Sequence, residues 1–271
     1  MITPLALTAA AALAAITVAT VPAGPLAAAP ASAHAAQTPL IGVIGGAPGA
    51  YAVTLSIRYL PWGHAVPRYP AGTRLMVEIA LGKDPRKPSF PAIAHGAGSA
   101  WLRQLGRELP AGTLLSFAPE ANAWGRHEPI SPAAFRAAYQ TVQAEMGSRL
   151  VYVWQVSHWL TPTWTQPLAQ MLPAGVSFVS VDGYYGPGSS YGTVFGPVLA
   201  ELRRLTPLPV FIAEAGIPPM PAPERESLVS ALVAGARSSG LQGFVYFDEG
   251  RWRVSGAAAT ALGVALRSWD G

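Results

Sequence analysis

The chain has 271 residues, 51% of them hydrophobic and 12% charged, which is enough apolar material for one sizeable core and a single domain. It contains no cysteine, excluding disulfides, thiolate catalysis and a lipid-modified cysteine at a signal junction. The net charge is +4, yet the arginines are scattered singly apart from Arg203 and Arg204, and no basic run interleaves with aromatics, so a nucleic-acid partner is not expected.

In chain order, the first feature is the apolar run LALTAAAALAAITVAT, followed by GPLAAAPASAHAAQ with its small residues around Ala31, Ser32 and Ala33. This reads as a secretory signal peptide over residues 1–35, cleaved after Ala33 or Ala35, with an uncleaved anchor as the alternative because no Lys or Arg precedes the apolar run. The domain then spans 36–271 and has no later apolar run of the ~20 residues needed to cross a bilayer. An exported protein, monomeric and not inserted in a membrane after cleavage, is expected.

From Pro39 onward, short apolar runs alternate with longer amphipathic ones. The strand candidates are LIGVIG, AVTLSIRYL, RLMVEIAL, TLLSFA, RLVYVW, VSFVSVD, PVFIAE and LQGFVYFD. Several are nearly continuous in Val, Ile, Leu and Phe, the pattern of parallel strands buried on both faces. The helix candidates are GSAWLRQLGREL, SPAAFRAAYQTVQAEMG, VFGPVLAELRRL, PERESLVSALVAGARSSG and GAAATALGVALRSW. Ser131 before Pro132 is an N-cap with proline at the first helical position, and Gly147 and Gly240 suit helix ends. Eight strands alternating with helices predict a compact α/β fold, a (β/α)8 TIM barrel. Only GAPGA, residues 46–50, separates the first two strand candidates, so either the first β/α unit is shortened and its helix lost, or the run YAVTLSIRYL is not wholly strand.

Active sites of such barrels lie at the C-terminal strand ends, so acids that close apolar strands are the informative residues. Glu78 closes the third strand, Glu120 follows the fourth, Asp182 the sixth, Glu214 the seventh and Asp248 the eighth. Glycoside hydrolysis needs two carboxyl groups, one protonated for the leaving oxygen and one ionised for the anomeric carbon. Glu120 and Glu214 suit that pair, whereas each alone would read as a solvated loop acid, and Asp182 equally as a residue bonding loop amides. His64 and His158 stand without partners at ligand spacing, so they read as loop residues, and neither a metal nor an organic cofactor is expected.

The blocks LLSFAPEANAWG, SPAAFRAAYQTV, LVYVWQVS, VSFVSVDGYYG, PVFIAEAGI and VYFDEGRWRVS, with AIAHGAGSAWLRQLGREL upstream, resemble successive blocks of glycoside hydrolase family 26. These are the retaining, β-mannanase-type barrels with catalytic glutamates on strands four and seven. The resemblance covers most of the chain from about Trp62 and implies Glu120 as acid/base and Glu214 as nucleophile. It also implies Asn122 beside the acid, Tyr184 near the nucleophile, and Trp154 and Trp252 facing the sugar, with Trp124 divided between sugar contact and core. Where the family pattern resembles H-E-x-N-G, this chain has Pro119 before Glu120 and Ala123 after Asn122, so a subsite contact expected for mannan is absent. Two functions follow as expectations: a secreted retaining β-glycosidase acting on β-mannan or a related β-glycan, or a barrel of the cell envelope that binds carbohydrate without cleaving it.

Overall fold

Eight strands form one parallel sheet: β1 (Leu40–Gly45), β2 (Leu55–Pro61), β3 (Arg74–Ala80), β4 (Leu114–Phe117), β5 (Val151–Ser157), β6 (Phe178–Tyr184), β7 (Val210–Gly216) and β8 (Gly243–Asp248). The structure, a computed structural model, describes residues 38–45, 51, 53–66, 68, 71–81, 87–126, 130–160 and 166–270. Each strand pairs with the next in sequence from β2 to β8, and β8 pairs with β1, so Gly45 comes beside Asp248. Thr54, just before β2, completes the circuit. Its amide donates to the Ile41 carbonyl at 2.8 Å while its own carbonyl accepts from the Arg74 amide at 2.8 Å, drawing β1 against β2 and β3. The expected (β/α)8 barrel is the observed fold.

Strand alternation sorts the side chains into two cores. Met76, Leu114, Val153, Phe178, Phe211 and Val245 point inward and fill the lower barrel with Leu40, Leu55 and Ile57. Their sequence neighbours Leu75, Val77, Leu115, Tyr152, Trp154, Val179 and Ile212 point outward into the larger layer between barrel and helices.

The helices are α1 (Phe90–Ala94), α2 (Ser99–Glu108), α3 (Pro132–Met146), α4 (Leu168–Met171), α5 (Tyr191–Leu205), α6 (Ala222–Ser238) and α7 (Gly256–Arg267). The start of α3 follows its sequence signals: the Ser131 hydroxyl accepts from the Ala134 amide, Pro132 opens the helix, and Gly147 ends it at φ 85°. Gly106 of α2 fits because a Cβ there would stand 2.4 Å from the Met146 carbonyl oxygen, so only glycine lets α2 and α3 approach this closely. The short α1 and α4 carry too few residues to show a period in the sequence. Among the described residues no helix lies between β1 and β2, in keeping with the shortened first unit, and none lies between β2 and β3. The expected leader, 1–35, lies outside the described residues. No helix among those described is long and apolar enough to cross a membrane.

Candidate active site

Towards the C-terminal mouth the inward positions change character. Above Ile57, Met76, Leu114, Val153 and Phe178 come, two residues on, Tyr59, Glu78, Ser116, Gln155 and Ser180, and then Ser157, Asp182 and Tyr184. The barrel is thus apolar below and polar above. Strict alternation on β7 would send Glu214 outward, because Phe211 and Ala213 already face in. The pairing of β7 with β8 shifts register between Ile212 and Ala215, however, and that irregularity turns Glu214 into the mouth while Ala215 packs on the helix side.

There Glu214 is only 8% exposed and is held by two phenols: the Tyr59 hydroxyl donates to Oε1 and the Tyr184 hydroxyl to Oε2. Tyr184 thus lies against Glu214, the residue the resemblance sets it near. Tyr59, from β2, was not anticipated; its position on the inward face of β2, in step with Leu55 and Ile57, is the signal that could have found it. Behind them Gln155 Nε2 donates to Glu78 Oε1 at 3.0 Å and to Asp182 Oδ2 at 2.8 Å. Glu78 and Asp182 are 0% and 1% exposed.

Glu120 reaches the same mouth from the turn after β4. Ala118 and Glu120 adopt φ of 52° and 57°, the left-handed region that costs a non-glycine residue on the order of 1 kcal/mol or more. The turn is tied down on both sides. The Ala118 amide donates to the Ile79 carbonyl at 2.9 Å, and the Glu120 amide to the Gln155 carbonyl at 3.2 Å. Asn122, which the resemblance sets beside Glu120, is the clamp of this turn: Nδ2 donates to the Ser157 carbonyl at 3.2 Å and Oδ1 accepts the Ser157 amide at 2.8 Å. At 1% exposure it cannot meet a substrate.

Burial and mutual repulsion set the charges of this cluster. Burial, then the charge of Glu214, raises Glu120 to about 7, with Ser157 pulling the other way. Glu214 is raised by burial, while the hydrogen bonds from Tyr184 and Tyr59 favour its charged form and oppose that rise. Glu78 and Asp182 are pushed well above the carboxylate range by burial first and by Glu214 next. Tyr59 and Tyr184, also raised by burial first, stay protonated donors. Among the described residues no group of three or more His, Cys, Asp and Glu is arranged to hold a metal ion.

The tryptophans divide. Trp252 sits beside Tyr184, ring centroids 4.9 Å apart, on the wall of a cleft of about 750 Å³ that His158, Trp159, Tyr185 and Arg251 also line. Gly216 makes room for this pair, since a Cβ there would lie 3.0 Å from each ring. The Trp252 loop is pinned by Arg225, whose guanidinium donates to the Ile217 and Trp252 carbonyls at 2.7 and 2.9 Å, and by Asp248, which accepts the Val254 amide at 2.6 Å. Trp154, expected to face the sugar, does not: on β5 it alternates with the inward Val153 and Gln155, and is 1% exposed among the outer-layer apolar side chains. Trp124 is half-buried, stacked on Phe90 at 5.9 Å with Lys87 Nζ 5.5 Å from its ring centre, which places it against the α1 side of the outer core.

No protein-family model matches the sequence, and no curated protein matches it. Solved structures do. An oligosaccharide-binding GH128 (subgroup VII) protein from Trichoderma gamsii aligns with 88% of this chain and 98% of its own, at 14% identity and a TM-score of 0.61. The exo-β-1,4-mannosidase Op5Man5 from Opitutaceae bacterium strain TAV5 aligns with 80% of this chain and 53% of its own, at 15% identity and 0.59. A mutant Thermotoga maritima Cel5A in complex with cellobiose aligns with 84% and 96%, at 13% and 0.58. At these identities the likeness establishes the barrel. It is to glycoside-hydrolase barrels as a class and does not single out family 26.

Proposed function

We propose that the protein is a retaining β-glycosidase acting on a β-linked polysaccharide or oligosaccharide, β-mannan or a related β-glycan, exported once the leader 1–35 is removed. The observation that carries this reading is one mouth holding two glutamates in opposite environments. Glu120 is raised to about 7 and can carry a proton at neutral pH. Glu214 receives two phenolic hydrogen bonds that favour its ionised form. Such a pair divides the labour of a double displacement. Glu214 attacks the anomeric carbon and forms a glycosyl ester while the glycosidic C–O bond breaks, the leaving oxygen taking the Glu120 proton. Water then attacks the same carbon, yielding its proton to Glu120 and releasing Glu214. Trp252, packed beside Tyr184 and with the Arg251 guanidinium 4.4 Å from its ring centre, lines the cleft next to Glu214, where its indole and that cation can meet a sugar.

The likeness to a Trichoderma gamsii protein described as oligosaccharide-binding favours the second reading, a barrel that holds carbohydrate without cleaving it. One experiment separates the two. The purified mature chain is incubated with a panel of β-mannans and other β-glycans while reducing ends and the configuration of the first product are followed, and binding is measured calorimetrically in parallel. Release of a β-configured product supports the enzyme; binding with no turnover on any glycan supports the binder.

A further inference from the structure

Glu78 has no part in a two-carboxylate mechanism, yet it is wholly enclosed on the inward face of β3, directly above Met76. Several groups face it from the neighbouring elements. They are Tyr59 from β2, Glu120 from the turn after β4, Gln155 from β5, Asp182 from β6 and Glu214 from β7. Gln155 gives one N–H to Glu78 Oε1 and the other to Asp182 Oδ2, so it has no donor left for a second oxygen of either. With both carboxyl groups ionised, Glu78 Oε2 is buried with no hydrogen-bond partner. The charges acting on Glu78 most strongly, those of Glu214 and Glu120, are both negative.

An ionised carboxylate with one amide donor, no access to water and the charge of Glu214 beside it is a costly state. Glu78 is the register partner of Tyr59, whose hydroxyl bonds Glu214, and it shares Gln155 with Asp182, the register partner of Glu214, so the carboxyl groups of Glu78, Asp182 and Glu214 form one buried cluster. Two ionised carboxylates cannot bond one another, so a hydrogen bond between two of them requires that one carries a proton. Glu214 already accepts from Tyr59 and Tyr184, which favours its charged form. We propose that Glu78 holds that proton and donates it to Glu214, acting as a positioning residue that completes a three-donor clamp of Tyr59, Tyr184 and Glu78 around one carboxylate. The unpartnered Oε2 then becomes a satisfied O–H. This deepens the glycosidase reading and rests on it for its kinetic consequence, but not for the protonation state itself.

The test uses the mature chain with Glu78→Gln, which keeps the shape and an N–H donor, and Glu78→Leu, which removes the donor. Infrared difference spectra at neutral pH, wild type against Glu78→Gln, are expected to lose one protonated-carboxyl C=O band that shifts in deuterated water. Unchanged bands in that region would overturn the proposal whether or not the protein turns over any glycan. In kinetics, Glu78→Leu should lower kcat by roughly ten- to a hundredfold and move the acidic limb of kcat/KM to higher pH, because Glu214 loses a donor to its charged form. Glu78→Gln should recover most of that loss. A fall of the acidic limb to lower pH in Glu78→Gln would mean that a negative charge had been removed, and would refute the assignment. If Glu78→Leu does not fold, the spectra and pH profile of Glu78→Gln decide the matter alone.

Discussion

The turn after β4 and the end of β7 each bring one glutamate into the same mouth, by opposite means. Glu214 sits on a strand whose register shift aims it inward, with a phenol on each oxygen. Glu120 stands on a strained turn at φ 57°, fixed through its backbone and through Asn122, with burial and a like charge as the main influences on its carboxyl group. A group clamped by donors is kept ionised and aimed. A group fixed only through its backbone, in a desolvated spot facing a negative charge, is kept ready to exchange a proton. The contrast teaches that hydrogen-bond supply, rather than burial, distinguishes the two environments, since both side chains are largely enclosed.

The comparison breaks most visibly if the two residues are interchangeable under mutation. Glu214→Ala should abolish turnover, on the order of 10⁴-fold or more in kcat, on every substrate, because nothing remains to form the glycosyl ester. Glu120→Ala should be as damaging for sugars with poor leaving groups but spare the first step on activated aryl glycosides, whose departure needs little protonation. Added azide should then raise turnover in Glu120→Ala and give a glycosyl azide of retained configuration, as it attacks the ester without a general base. Equal losses on both substrate classes, or rescue of Glu214→Ala with retention, would assign the roles the other way or dissolve them.

A second comparison, between Trp252 and Trp154, predicts smaller effects of two different kinds. Trp252→Ala should lower kcat/KM by roughly ten- to a hundredfold with little change in Tm, as expected for a ring on the cleft wall. Trp154→Ala should cost about 3–5 kcal/mol of stability, measured by denaturant unfolding, since it empties a fully enclosed site between β5 and the helices. Lost activity at unchanged stability for Trp154→Ala would return it to the cleft.

Much of this was legible in the sequence, and the misses have physical causes. The eight strand runs could be found because parallel strands buried on both faces leave nearly continuous apolar text, and the first of them, LIGVIG, coincides with β1. The C-terminal ends of β5 and β6 were cut short at Trp154 and Asp182, where the strands run on through Ser157 and Tyr184, because polar side chains lining a barrel mouth look like loop. That truncation also hid the parity that sends Trp154 outward, since Gln155 two residues above the inward Val153 leaves Trp154 no other face. Tyr59, Glu78 and Gln155 act through partners on other strands up to 155 residues away in sequence. Strand parity puts Tyr59 and Glu78 on inward faces, but nothing local names the partners they meet there. Asn122 lies in the turn that carries Glu120, but its amide is spent on Ser157, a partner no spacing rule would name.

The smallest predicted effect reads the difference between the two glutamates without any substrate. A carboxyl group whose folded pKa lies above its unfolded value binds more protons in the native state, so stability falls as pH rises from the unfolded value through the folded one. For Glu120 that window runs from its ordinary 4.5 to about 7. The corresponding penalty, fully developed above that window, is at most about 3 kcal/mol. Glu120→Gln removes the charge without removing a clamp, and should therefore raise the stability at pH 8 while leaving it nearly unchanged at pH 4. Glu214→Gln also removes a charge, but replaces one acceptor oxygen with an amide N–H where a phenol donates, so its gain at pH 8 should be smaller. Denaturant unfolding of wild type and both variants at pH 4, 6 and 8 measures this. A wild-type slope that persists in Glu120→Gln would show that its carboxyl titrates normally, and the distinction between a clamped and an unclamped glutamate would fail at its electrostatic root.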